Sequence, residues 1–220
     1  MAARRLILFC GMGADGRLMR PLRLPGIQVL TPDHIEPTKG EPLAAYAARV
    51  ADRHGIGSTD VVGGASFGGM LAAEIAKQRP VAGLVLLGTC VRPYRLQWSY
   101  KLLYALRHLI PDFALRLRGW EPLVRWRFEP ATPEALALLT SMNAACPASH
   151  IREFGRMAVE WEGAAEQECP TLSVHGRLDR VIPLKCGEPG VVLEDAGHAF
   201  TLTHAEQTSA AVGAFLRAAI

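Results

Sequence analysis

The chain has 220 residues, half of them hydrophobic and a fifth charged, with a formal net charge of +3. That length and apolar content suit a single globular domain with room for an inserted subdomain, and a charge so near neutrality gives no whole-protein case for nucleic-acid binding. Five scattered cysteines (Cys10, Cys90, Cys146, Cys169, Cys186), odd in number and without Cys-x-x-Cys spacing, argue against a disulfide framework or a zinc site and favour a reducing, cytoplasmic setting.

In chain order, Arg4 and Arg5 precede a short apolar stretch. It is too short for a signal peptide, and no small-residue cleavage site follows, so 6–10 is expected to be a first buried strand. No apolar run reaches the length of a membrane span. The loop that follows, Gly11-Met12-Gly13-Ala14-Asp15-Gly16, matches Gly-x-Gly-x-x-Gly, and Asp33 lies 22 residues beyond Gly11, the arrangement of a dinucleotide fingerprint. Against that reading, Pro21, Pro25 and Gly26 leave only about two turns for the connecting helix, too few for a normal crossover. A second strand is expected at 27–31 and a helix at 42–54.

A third strand, 60–63, runs into Gly64-Ala65-Ser66-Phe67-Gly68, and a helical pattern follows over 69–78. Strand, sharp turn with serine at the apex, then helix is the setting in which Gly-x-Ser-x-Gly forms a nucleophile elbow. The turn forces the serine toward strained backbone angles, and the glycines admit neighbouring backbone without a Cβ clash. With 21 glycines and seven serines in the chain, the pattern arises by chance in roughly one such sequence in fifteen. A glycine-rich turn whose serine only caps the helix is therefore a real alternative, and the rest of the chain must decide.

A fourth strand is expected at 83–88. From 91 to 167 no strand appears. Helix-like pieces lie near 96–109, 112–117, 133–142 and 147–161, punctuated by prolines, and we expect a helical insertion there, between core segments 1–90 and 168–220. Over 91–130 eight Lys/Arg face three acids. This excess suits a docking surface for an anionic substrate, a coenzyme A ester or an acyl-carrier protein, or simply solvated helix faces whose arginine stems cover apolar surface. Trp98, Leu103 and Tyr104 are candidates for the apolar underside of a lid over Ser66.

Further strands are expected at 171–175 and 190–194 and a last helix at 205–219. The strands do not alternate polar and apolar, so both faces are buried, as in a parallel sheet covered by helices: an α/β domain of about six strands. A serine nucleophile needs a base, and the base needs an acid. His198 follows the last strand, at the sheet edge where α/β ligand sites form. Asp179, in His175-Gly176-Arg177-Leu178-Asp179-Arg180-Val181-Ile182-Pro183, follows the fifth. Asp195 is nearer His198 in sequence, but three residues within one loop make a flat carboxylate–imidazole contact awkward. None of the histidines has metal-ligand spacing with another, so no metal is expected.

Gly-Ala-Ser-Phe-Gly, then the Asp179 segment, then Ala196-Gly197-His198, in the order Ser…Asp…His, resembles the α/β-hydrolase superfamily, and the resemblance covers nearly the whole chain. It implies the α/β-hydrolase fold with a helical cap. The implied activity is that of a serine esterase or thioesterase acting on a small molecule without a cofactor, with acyl transfer or carbon–carbon bond hydrolysis as alternatives. A non-catalytic binding module on the same fold is the rival of another class. The resemblance further implies an oxyanion hole from the backbone N–H groups of Met12 and Phe67, with Cys10 standing where many relatives have histidine. It also accounts for Pro32-Asp33 without a dinucleotide. Two departures are the spacing of only 19 positions from Asp179 to His198, short for a full helix, and the absence of two leading strands.

Overall fold

The computed structural model describes residues 5–92, 102, 120–164, 168–186 and 190–219. Six strands, β1 (Arg5–Phe9), β2 (Gln28–Leu30), β3 (Val61–Ala65), β4 (Gly83–Leu87), β5 (Thr171–Gly176) and β6 (Val191–Leu193), form one sheet in the order β2-β1-β3-β4-β5-β6. Every pairing is parallel. All carboxyl ends therefore meet along one edge, where loops from separate parts of the sequence converge.

The central strands β3 and β4 are buried at every residue, and Leu6, Ile7, Leu8 and Phe9 of β1 are at most 1% exposed. Each such fully buried side chain stabilises the fold by about 1.5–3 kcal/mol against exposure, which is why these strands carry no polar alternation. β3 runs two residues further than its apolar stretch suggested. Gly64 and Ala65 continue the parallel ladder opposite Leu86 and Leu87, so the chain stays extended right up to Ser66.

Helix α1 (Leu43–His54) ends on Gly55 in the left-handed conformation, and α2 (Phe67–Gln78) starts directly after Ser66. Between β4 and β5 lie α3 (Glu121–Phe128), α4 (Pro133–Ala145) and α5 (Ala148–Glu160). α3 was not expected from the sequence, and the pieces expected near 96–109 and 112–117 fall outside the described residues, Leu102 apart. α4 begins with Pro133 after Thr132, whose hydroxyl accepts from the Ala135 N–H at 3.3 Å, a normal helix start. After β6 come the short α6 (Phe200–Thr203) and α7 (Ala205–Ala219). The crossover after β1 contains one 3-10 turn, Gly16–Met19, not the helix of a dinucleotide-binding unit. Between β5 and β6 the described chain likewise forms a single 3-10 turn, Leu184–Cys186.

α5 is stitched to the segment after β2. His150 Nε2 is 2.7 Å from Glu36 Oε2, the Gly40 N–H donates to Glu153 Oε2 at 3.0 Å, and Arg156 donates to the Glu41 carbonyl. Just beyond α5, the Trp161 indole N–H donates to the buried Glu74 carboxylate of α2 at 2.6 Å.

Candidate active site

Ser66 has φ 54° and ψ −121°, the one positive φ outside glycine among the described residues. A non-glycine residue is held there only when its surroundings over-determine it. Its N–H donates to the Leu87 carbonyl at 2.9 Å, and its own carbonyl accepts from the Thr89 hydroxyl at 2.7 Å. The flanking glycines are steric necessities. A Cβ on Gly64 would stand 2.5 Å from the Gly68 carbonyl carbon, and one on Gly68 2.2 Å from the Phe9 carbonyl oxygen. Side-chain atoms are missing at both places because strand, elbow and helix pass within contact of one another.

On one side of Ser66 lies the loop after β1, where a Cβ on Gly11 would be 3.1 Å from the serine Cβ. On the other side, after β4, is Gly88, with φ 54°. A Cβ there would sit 3.5 Å from Asp179 Oδ2 and 3.6 Å from His198 Nδ1. Ser66 thus stands beside a strand end that itself abuts the Asp179 and His198 side chains.

Those two side chains touch. His198 Nδ1 is 2.6 Å from Asp179 Oδ2. The other carboxylate oxygen, Oδ1, accepts the Val181 and Ile182 N–H groups, both at 2.8 Å. The Asp179 side chain is fully buried, whereas that of His198 retains 9% exposure. His175, at the end of β5, donates from Nε2 to the Ile182 carbonyl at 2.7 Å and lies 3.5 Å from Asp179 Oδ2. Burial holds its pKa below the ordinary histidine value, so it remains neutral and adds no charge beside the carboxylate. Asp195 turns away, to His204 Nε2 at 3.2 Å.

Met12 lies in the loop after β1 and Phe67 directly after Ser66. Met12 is the second residue of a turn closed by the Ala14 N–H on the Gly11 carbonyl at 3.1 Å, with Gly13 third at φ 83°, the signature of a type II turn. Phe67 is the first residue of α2, so its N–H belongs to the unsatisfied first turn of a helix. Asn143 of α4 reaches over this loop: a Cβ on Gly13 would be 2.7 Å from its Oδ1. The Phe128 ring of α3 approaches the His198 ring at 5.9 Å between centroids. Trp98, Leu103 and Tyr104 lie outside the described residues.

Sequence pattern assigns no role to His34, although it directly follows Pro32-Asp33 at the same edge. Its Nε2 lies 2.9 Å from the Cys10 carbonyl, and its ring packs with those of Tyr46, Phe67 and Phe154 at 6.5, 5.8 and 4.8 Å. Burial pushes its pKa down to about 4. Burial also raises the Cys10 thiol to about 12, so that cysteine is protonated and inert as a nucleophile.

The sequence matches the model of the alpha/beta hydrolase family over residues 6–211. Among curated proteins none matches it. Solved structures that share its fold include a thermophilic esterase from Thermogutta terrifontis (TM-score 0.81, 20% identity, covering 98% of this chain and 90% of that one). An esterase from Exiguobacterium antarcticum is also similar (TM-score 0.76, 16% identity, 98% and 92%). So is an enol-lactonase from Burkholderia xenovorans LB400 (TM-score 0.77, 17% identity, 99% and 92%). With a six-stranded parallel sheet, a serine at the apex after β3 and a family match along nearly its whole length, the chain belongs to the alpha/beta hydrolase family.

Proposed function

We propose that this hydrolase cleaves a small carboxylic ester through an acyl-enzyme, with Ser66 as nucleophile, His198 as base and Asp179 as the acid that orients it. The observation that carries the reading is the strained Ser66 backbone beside a strand end against which the paired Asp179 and His198 side chains rest. The Asp179 carboxylate, accepting the Nδ1–H of His198, leaves Nε2 as the basic nitrogen. Ser66 Oγ attacks the carbonyl carbon as Nε2 takes its proton, and the N–H groups of Met12 and Phe67 receive the negative charge on the carbonyl oxygen. Nε2–H then protonates the departing alcohol as the carbon–oxygen bond breaks. Water, deprotonated by His198, attacks the acyl group and frees Ser66 with release of the carboxylic acid.

An ester is favoured over a thioester by the esterases and the lactonase that share the fold. In this reading α3, α4 and α5 belong to a cap over the carboxyl edge, with Asn143 beside the Gly13 turn and Phe128 beside His198. Of the basic residues over 91–130, Arg125 pairs with Glu121 at 2.8 Å and Arg127 lies over the Phe128 ring at 5.6 Å. These self-contacts favour arginine stems covering the protein's own surface over a dock for coenzyme A or an acyl-carrier protein. All five cysteines are free, which accords with a cytoplasmic setting. Among the described residues no helix is long and apolar enough to cross a membrane.

Labelling by a fluorophosphonate probe tests the reading. The wild type should label and Ser66→Ala should not, while keeping its fold by circular dichroism. An unlabelled wild type, beside a control serine hydrolase that labels, would remove the nucleophile. A panel of p-nitrophenyl esters and thioesters of varied chain length would then define the substrate.

A further inference from the structure

We propose that His34 is a positioning residue for the oxyanion hole, its neutral Nε2–H holding the Cys10 carbonyl so that the Met12 N–H is fixed opposite that of Phe67. This deepens, and rests on, the reading of Met12 and Phe67 as the oxyanion donors.

The tautomer follows from the partners. The Cys10 carbonyl only accepts, so Nε2, 2.9 Å away, carries the proton. Nδ1 is 3.4 Å from the Tyr46 hydroxyl, which donates to the Ile35 carbonyl at 3.0 Å. A ring neutral down to about pH 4 keeps this pattern throughout the working range of a serine hydrolase.

The position of the hydrogen bond matters more than its strength. Cys10 is the hinge between β1 and the Gly11–Ala14 turn, and its carbonyl sets the plane of the Cys10–Gly11 peptide from which the turn departs. The same imidazole also packs at 5.8 Å from the Phe67 ring, which stacks on Phe154 of α5 at 4.7 Å. One side chain therefore braces both halves of the oxyanion hole: a hydrogen bond to the loop that carries Met12 and ring packing to the residue that supplies the second donor. Donors preorganised in this way need not reorient as charge develops, and a displacement of about 1 Å in such a site costs on the order of 100-fold in rate.

The test compares His34→Gln, whose amide nitrogen reaches about as far as Nε2, with His34→Asn, which is too short, and His34→Phe, which keeps the ring and loses the donor. Steady-state hydrolysis of p-nitrophenyl butyrate and inhibition by an alkyl trifluoromethyl ketone are measured, with Ser66→Ala alongside. His34→Asn and His34→Phe should lose about 10- to 100-fold in kcat with KM within about 2-fold. They should bind the ketone, which mimics the oxyanion, more weakly by the same factor, and His34→Gln should recover most of both. Wild-type kcat in His34→Asn or His34→Phe, with Ser66→Ala inactive, overturns the role of His34 and leaves the serine mechanism standing. So does His34→Gln as impaired as His34→Phe. Full activity in Ser66→Ala overturns the mechanism and this role together. If His34→Phe fails to fold, the Gln and Asn variants decide alone.

Discussion

His198 Nδ1 lies 2.6 Å from Asp179 Oδ2, whereas Asp195, three positions before the histidine, contacts His204 at 3.2 Å. The carboxylate that faces His198 comes from the end of a different strand, and the carboxylate nearer in sequence points elsewhere. Asp179→Asn should therefore lower kcat by about 10⁴-fold, because an amide holds the wrong tautomer of the imidazole. Asp195→Asn should change it by less than about 2-fold. Parallel kinetics on one p-nitrophenyl ester check this, and a large loss in Asp195→Asn with little in Asp179→Asn would reassign the acid.

Gly88 separates backbone strain from active-site crowding. Gly88 and Gly55 have nearly the same φ, 54° and 57°, but a Cβ on Gly88 meets Phe200 at 3.1 Å, Asp179 and His198, whereas one on Gly55 meets nothing within 4 Å. Alanine at either should cost about 1–2 kcal/mol of stability from the left-handed backbone. Only Gly88→Ala should also reduce kcat, by about 100-fold, since it shifts the acid–base pair. Urea unfolding and initial rates on the two variants distinguish the effects.

Glu74 is buried on α2, accepting from Trp161 at 2.6 Å and from Gln78 at 2.8 Å. Trp161→Phe removes one donor and leaves a buried carboxylate oxygen short of a partner, at a cost of about 1–3 kcal/mol. The urea midpoint should fall accordingly with the m-value unchanged, while kcat, set at the opposite end of α2, should remain near wild type.

His34 also predicts a pH dependence. Its pKa is depressed by burial from 6.5 to about 4 in the folded protein, with His150 lowering it further and Asp33 and the Cys10 carbonyl opposing. Between these values the unfolded chain binds a proton that the folded chain does not, so stability falls as pH drops from 6.5 toward 4 and is flat for this group above 7. The full effect is at most about 3 kcal/mol, reduced by the ring's remaining contact with solvent. Urea midpoints at pH 7 and 4.5 should differ more for wild type than for His34→Gln, which has nothing to titrate there. Equal differences would mean that the ring is already protonated in the fold.

The centre of the sheet was legible because its physics is written in composition: strands buried on both faces, as β3 and β4 are, need apolar runs, whereas the edge strands β2 and β6 are only partly buried and showed as short runs of the same kind. α3 was less legible because its buried residues are only Val124 and Phe128, with Pro122 in its first turn and Trp126 facing solvent, a pattern too sparse to separate from a loop. Ser66, Asp179 and His198 stood out because each follows a strand whose end the parallel topology brings to one edge. His34 follows a strand as well, but nothing local marks it; its place depends on a carbonyl 24 positions earlier and on Phe154, 120 positions later. Local pattern records which residues follow strand ends, and tertiary contact alone records which side chains pack against them.

The stitching of α5 to residues 36–41 has a consequence for how such an enzyme could be retuned. Because α5 is pinned by His150, Glu153 and Arg156 and stacks through Phe154 on the Phe67 ring, changes on its inner face should be relayed first to the start of α2. α4 meets the edge at another point, reaching the Gly13 turn through Asn143, so substitutions there should act through the loop that carries Met12. A mutational library divided between these two helices would thus separate effects relayed through Phe67 from effects relayed through the Gly13 turn.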